Sequence, residues 1–306
     1  MNRSVPALLT ALLSTTLALA PPVHSQSTSS RSPAAPQSAP ASGAFEENVV
    51  YATVNGTALH LDVFEPPDRG NQTRPAVILI HGGSWTGFDK STMSGMGRFL
   101  SRSGFVAFAV DYRLFKGTEN RWPAQLDDVQ RAVRWVRANA AKYGVNPDRI
   151  GAFGHSAGAQ LAALLGMENT RDNSDAALAK YSSKVQAVVD VSGPSDFTTD
   201  HDADGDAFLT KFLGGDEANH PDLWKDASPV FHVAKDNAPF LIVHGTKDEE
   251  VRISQSQELY DKLHAAGVAV SFVKLDDVHT FQTQDARRRM VMETLEFFNR
   301  VLVVAQ

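Results

Sequence analysis

The strongest constraint on this chain's fold is a repeated alternation. The runs "AVILI" (76–80), "FVAFAV" (105–110), "RIGAFG" (149–154), "QAVVDV" (186–191), "FLIVHG" (240–245) and "VAVSFVK" (268–274) are short, β-branched or aromatic, and almost unbroken in apolarity. Strands of that kind are covered on both faces, so the longer stretches between them must supply helices and the sheet must be mostly parallel. Ahead of them, "VVYAT" (49–53) and "ALHLDVF" (58–64) flank Asn55-Gly56, a hairpin turn signal that predicts an antiparallel opening pair. Leu126, Val129, Val133, Val136 and Ala140 step by three or four residues, which predicts one helical face on the sheet with Asp127, Arg131 and Arg134 turned outward. Val291, Leu295, Phe298 and Leu302 repeat that stripe near the end of the chain.

The N-terminal segment has a different character. Met1-Asn2-Arg3 leads into an apolar stretch, Val5 to Ala20, followed by "PPVHSQ" with small or apolar Val23 and Ser25, the pattern of a signal peptide over 1–25. The stretch is too short to span a bilayer, which takes about 20 apolar residues. The expectation is therefore a secreted or periplasmic protein with no membrane span once the leader is cleaved. Residues 26–47 are dominated by Ser, Ala, Pro and Gln and cannot bury enough apolar area to offset their ordering entropy, so they are read as a disordered linker, with the catalytic domain over 48–306. The net charge of −6 and the lack of a basic run argue against nucleic acid as partner. With no cysteine, the chain has neither disulfides nor a thiol nucleophile.

"FGHSAG" (153–158) places Ser156 where a strand ends and a helical run begins. A serine in that position is often only an N-cap. Its alternative role, as a nucleophile, needs a base within reach and a carboxylate to orient that base. His279 in "LDDVHTF" follows the last strand run, and Asp248 in "FLIVHGTKDEEV" follows the one before; both therefore fall where ligands gather in open α/β sheets. Glu249 and Glu250 adjoin Asp248, so a solvated acidic turn is the plainer reading of that stretch. The order Ser156, Asp248, His279 nevertheless matches one hydrolase fold and differs from the chymotrypsin and subtilisin orders. "LIHGGSWTG" (79–87) adds a glycine-rich turn after a strand, able to aim backbone N–H groups at an oxyanion.

With these stretches in view, the chain resembles the α/β-hydrolase superfamily, and within it the small esterases of the hormone-sensitive-lipase-like and bacterial feruloyl/acetylxylan-esterase-like (BD-FAE) groups. "HGGSW", "DYRL" (111–114), "GHSAG", "HGTKDEEV" and "VHTF" occur in the family's order, over roughly residues 48–303. The resemblance implies an α/β-hydrolase fold with helices on both faces of the sheet and no large cap domain. It implies Ser156 as nucleophile, Asp248 as orienting acid, His279 as base, and the N–H groups of Gly83, Ser84 and Ala157 as the oxyanion hole, without metal or cofactor. Ser84 stands where many members carry a third glycine. Trp85 is expected beside the acyl site or in the core. The substrate would be a short-chain or aryl ester, including acyl groups on a polysaccharide. An amidase or peptidase using the same triad, arylformamidase-like or prolyl-oligopeptidase-like, is the alternative. A non-catalytic binding module would be expected to have lost one of the three residues.

Other signals point elsewhere less firmly. "DHDADGDAFLTK" (200–211) half-matches a calcium loop but ends in Lys211 where a bidentate glutamate is needed, so it is read as an exposed acidic loop. Residues 195–235 are read as a short helical cover near the site. His81, His155 and His244 are read as structural hydrogen bonders.

Overall fold

The computed structural model describes residues 43–303, apart from 69, 71 and 200–202. The expected signal peptide and most of the expected linker lie outside the described residues. Strands β1 (Phe45–Val54) and β2 (Thr57–Phe64) form the hairpin around Asn55-Gly56. They are followed by β3 (Arg74–Ile80), β4 (Val106–Val110), β5 (Val145–His155), β6 (Ala187–Val191), β7 (Phe240–Gly245) and β8 (Val270–Leu275). The sheet order is β1-β2-β4-β3-β5-β6-β7-β8, antiparallel across β1, β2 and β4 and parallel from β4 onward. The apolar runs became strands, and β4 and β6 are buried at every position, whereas β8, at the sheet edge, alternates buried Val273 and Leu275 with exposed Ser271 and Lys274.

The helices are α1 (Ser94–Arg102), α2 (Ala124–Ala138), α3 (Ala140–Tyr143), α4 (Ala157–Met167), α5 (Ala203–Leu213), α6 (Pro221–Ala227), α7 (Ile253–Ala265) and α8 (Gln284–Phe298). Two apolar layers result. Leu126, Val129, Val133, Leu161, Leu164 and Leu259 fill one face of the sheet, while Leu100, Phe105, Phe298 and Leu302 fill the other. α4 is buried along its whole length, which makes it the central helix under the site.

Four expectations need correction. The stretch read as linker reaches into the sheet: β1 starts at Phe45, whose ring sits 4.9 Å from that of Phe64, with the Arg98 guanidinium over both. Arg131 and Arg134 do not face outward but are 6% and 1% exposed. The chain after α4 crosses over them: Arg134 donates to the carbonyls of Asp172 (2.6 Å) and Leu178 (3.1 Å), and Arg131 pairs with Asp172. Ala140 does not continue α2, because the helix breaks at Asn139 and restarts as α3. The expected acidic loop is helical from Ala203, so Asp204 and Asp206 occupy the first turn of α5, where the helix dipole favours carboxylates.

Candidate active site

Ser156 sits between β5 and α4 with φ 56° and ψ −125°, the strained turn that a nucleophile elbow requires. It occupies the N-cap position of α4, but its side chain makes no capping bond. Its carbonyl instead accepts from Ala159 N at 2.8 Å, and its own N–H is bonded to the Val191 carbonyl at 2.9 Å. The hydroxyl is thus left out of helix capping. Small residues allow the turn to pack: a Cβ on Gly158 would lie 2.3 Å from the Ile80 carbonyl, at the end of β3. Ala157 opens α4, so its N–H has no acceptor inside the helix.

The carboxylate of Asp248 follows β7, and its side chain is fully buried. Its Oδ1 accepts the backbone N–H groups of Glu250 (3.0 Å) and Val251 (2.9 Å), while its Oδ2 lies 2.7 Å from Nδ1 of His279. Burial alone would push this carboxyl up, but the bonds from His244, His279 and Val251 outweigh it and hold the group well below the usual carboxylate range. An ionised Asp248 fixes the proton of His279 on Nδ1 and leaves Nε2 with a free lone pair. That Nε2 lies 4.0 Å from Glu250, a residue that lines the same cavity as Ser156.

Two further groups hold the histidine loop. Asp277 accepts from the backbone N–H groups of Val278, Gln282 and Thr283 and from the Thr283 hydroxyl at 2.6 Å. His155 donates from Nε2 to the His279 carbonyl at 3.0 Å. Desolvation lowers the His155 pKa, which keeps the ring neutral so close to His279. Neither contact is legible in the sequence. Asp277 looks like one more acid in a polar loop, and His155 is readable as a hydrogen bonder but without its partner.

The glycine-rich turn lies after β3, as expected. Gly83, Ser84 and Trp85 have φ of 102°, 50° and 59°, and a Cβ on Gly83 would lie 2.4 Å from the Gly87 carbonyl. The "DYRL" segment secures this turn. Tyr112 donates to the His81 carbonyl at 3.0 Å and stacks on the His81 ring at 4.3 Å, while Arg113 forms a paired bond to buried Asp128 at 2.7 and 2.8 Å. Desolvation lowers the pKa of His81, as it does that of His155.

A cavity of about 420 Å³ opens at Ser156 and Ala157, with Ser84, Trp85, Phe208 and Leu209 among its walls. Trp85 is 5% exposed in a stack with Phe212 at 4.7 Å, and it also lines the cavity. Its indole N–H is held by Gln160, whose amide in turn donates to the Ala227 carbonyl. The expected cover is present in α5 and α6, and α5 forms one wall. Among the described residues, no cluster of three or more His, Asp or Glu is placed to hold a metal ion, and no helix is long and apolar enough to cross a membrane.

The eight-stranded sheet with an elbow serine at the edge of a cavity defines the class as an α/β-hydrolase. The BD-FAE family model matches residues 61–263, more than half of the chain, and the chain belongs to that family. Esterase LipQ of Mycobacterium tuberculosis is 34% identical over 251 residues, covering 79% of this chain and 59% of LipQ. From the same organism, the probable carboxylic ester hydrolase LipM is 32% identical over 214 residues, covering 68% of this chain and 49% of LipM. The chain therefore spans about half to three-fifths of these relatives' length. Among solved structures, a truncated carbohydrate esterase from gut microbiota superposes with TM-score 0.74 at 29% identity, over 85% of this chain and 96% of its own. Butyrate-bound Est2 from Thermogutta terrifontis, a thermophilic esterase, also gives 0.74, at 26% identity over 87% and 97%.

Proposed function

We propose that this chain is an exported serine carboxylesterase that hydrolyses short-chain or aryl esters through an acyl-enzyme. The observation that carries the reading is the 2.7 Å bond between Asp248 and His279 in a chain whose elbow serine opens onto a cavity with its hydroxyl free of capping. Ser156 attacks the ester carbonyl while His279 takes its proton at Nε2, and Asp248 stabilises the imidazolium. The tetrahedral oxyanion is met by the N–H of Ala157 and by those of Gly83 and Ser84, each donor worth roughly 3 to 4 kcal/mol in the transition state. His279 then returns its proton to the leaving alcohol and activates the water that frees the acid. That LipQ and Est2 are esterases and LipM a probable carboxylic ester hydrolase supports an ester over an amide. The carbohydrate esterase neighbour supports acylated polysaccharide as one source of substrate.

The test is hydrolysis of p-nitrophenyl acetate, butyrate and octanoate beside the matching anilides. Wild type should release nitrophenol from the shorter esters. Ser156→Ala should lose at least 10³-fold, in line with nucleophile removal in triad enzymes, and EDTA should leave the rate unchanged. Equal rates for wild type and Ser156→Ala would refute the reading, and faster anilide cleavage would favour the amidase. Export is checked by sequencing the N-terminus of protein recovered outside the cytoplasm, which should begin near residue 26.

A further inference from the structure

We infer that His244 is a positioning residue of the active site, a second imidazole that clamps Asp248 and limits how strongly it pulls on His279; this rests on reading Asp248 and His279 as the acid and base. His244 lies on β7 and is fully buried. Its Nε2 is 2.8 Å from the Val251 carbonyl and 3.0 Å from Asp248 Oδ2. Both neighbours are acceptors, so Nε2 carries the proton. Its Nδ1 is 2.7 Å from the hydroxyl of Ser256 on α7, which must then donate to it. Both ring nitrogens are thus satisfied, and the ring's neighbours fix a proton on Nε2.

The consequence falls on Asp248. Its Oδ1 is filled by two backbone N–H groups and its Oδ2 by two imidazoles, one from His244 and one from His279. A carboxylate held at both oxygens cannot swing away from His279. The charge on Oδ2 is also shared, so His279 experiences only part of it. The other titratable groups facing this unit are Asp190 on β6, whose carboxyl interacts electrostatically with His244, and His155 and Glu250, which face His279.

Removing the His244 donor should do two things at once. With His244→Phe, Asp248 becomes mobile and its undivided charge favours the protonated form of His279. The kcat for p-nitrophenyl acetate should fall about tenfold with KM unchanged, as for a misplaced catalytic group. The acid limb of the kcat/KM profile should move up by roughly half a pH unit or more. His244→Gln can present an amide N–H toward Val251 and Asp248, so it should recover kcat to within about threefold and return the limb to the wild-type position. If His244 merely fills space in the core, the limb stays put in both variants and Gln performs no better than Phe; that result overturns the inference.

A second measurement keeps this independent of the esterase reading. In nitrogen-15 histidine spectra, His244 should be a neutral Nε2–H tautomer whose signal shifts in Asp248→Asn and in Ser256→Ala. An Nδ1–H tautomer, or a signal indifferent to both changes, overturns the inference even if His244→Phe fails to fold. If wild type hydrolyses no faster than Ser156→Ala, the proposed function fails, while the spectra still decide the role of His244.

Discussion

Asp277 illustrates how much of this site depends on a residue with no chemistry of its own. Bonds from the Thr283 hydroxyl and N–H, and from Val278 and Gln282, hold its carboxyl well below the usual carboxylate range. A group with a depressed folded pKa contributes stability that is fully present above its unfolded value, near 3.9, and is lost as the pH falls below it. Asp277→Ala should therefore unfold at lower urea than wild type at pH 7, with the gap shrinking on moving to pH 3.5. The same change loosens the loop carrying His279, so kcat should fall about tenfold while Ser156 can still be labelled slowly by a fluorophosphonate. The places of Ser156, Asp248 and His279 at strand ends were legible because chain order limits where such residues can meet. His155 and His244 were readable as hydrogen bonders but not their partners, and Asp277 was not readable at all, since each works through a carbonyl, an N–H or a carboxylate that only the folded loops bring near.

At the scale of elements, the turn after β3 and strand β6 make opposite demands. Gly83 adopts a φ of 102° against the Gly87 carbonyl, so Gly83→Ala must distort the turn proposed to aim the oxyanion donors. Its expected cost is about 10²- to 10³-fold in kcat with a small change in melting temperature, measured by steady-state kinetics and calorimetry. On β6, burial raises Asp190 to about 6, opposed by its bond from the Gly193 N–H. A raised folded pKa means the group supports the fold at low pH and weakens it as pH rises through 6, by on the order of 2 to 3 kcal/mol when fully ionised. Asp190→Asn should accordingly gain on wild type in urea midpoint between pH 5 and pH 8. The strands themselves were readable from their apolarity, and α2 from its stripe. The burial of Arg131 and Arg134 was hidden, because periodicity registers charge and cannot register the Asp172 and Leu178 carbonyls that later cross over it.

For the whole molecule, the described fold begins with Phe45 packed on Phe64, and both apolar layers are built from residues after that point. A chain shortened to begin at Gly43 should keep its melting temperature within about 2 °C and its kcat within twofold; shortening to Val49 removes the contact of Phe45, which is 43% exposed, and should lower the melting temperature by about 2 to 4 °C, since a loss of about 1 kcal/mol shifts a domain of this size by about that much. The sequence by itself determined the strand series, the opening hairpin, the elbow and the order of the three candidate catalytic residues, since apolar run length, turn residues and chain order are local or one-dimensional properties. Tertiary structure alone decided that Ser156 keeps its hydroxyl out of capping, that α5 walls the cavity, and that Asp248 is shared by two histidines. Each of these depends on hydrogen-bond directions and packing between segments far apart in the chain, and such geometry exists only once the sheet has brought its strand ends together.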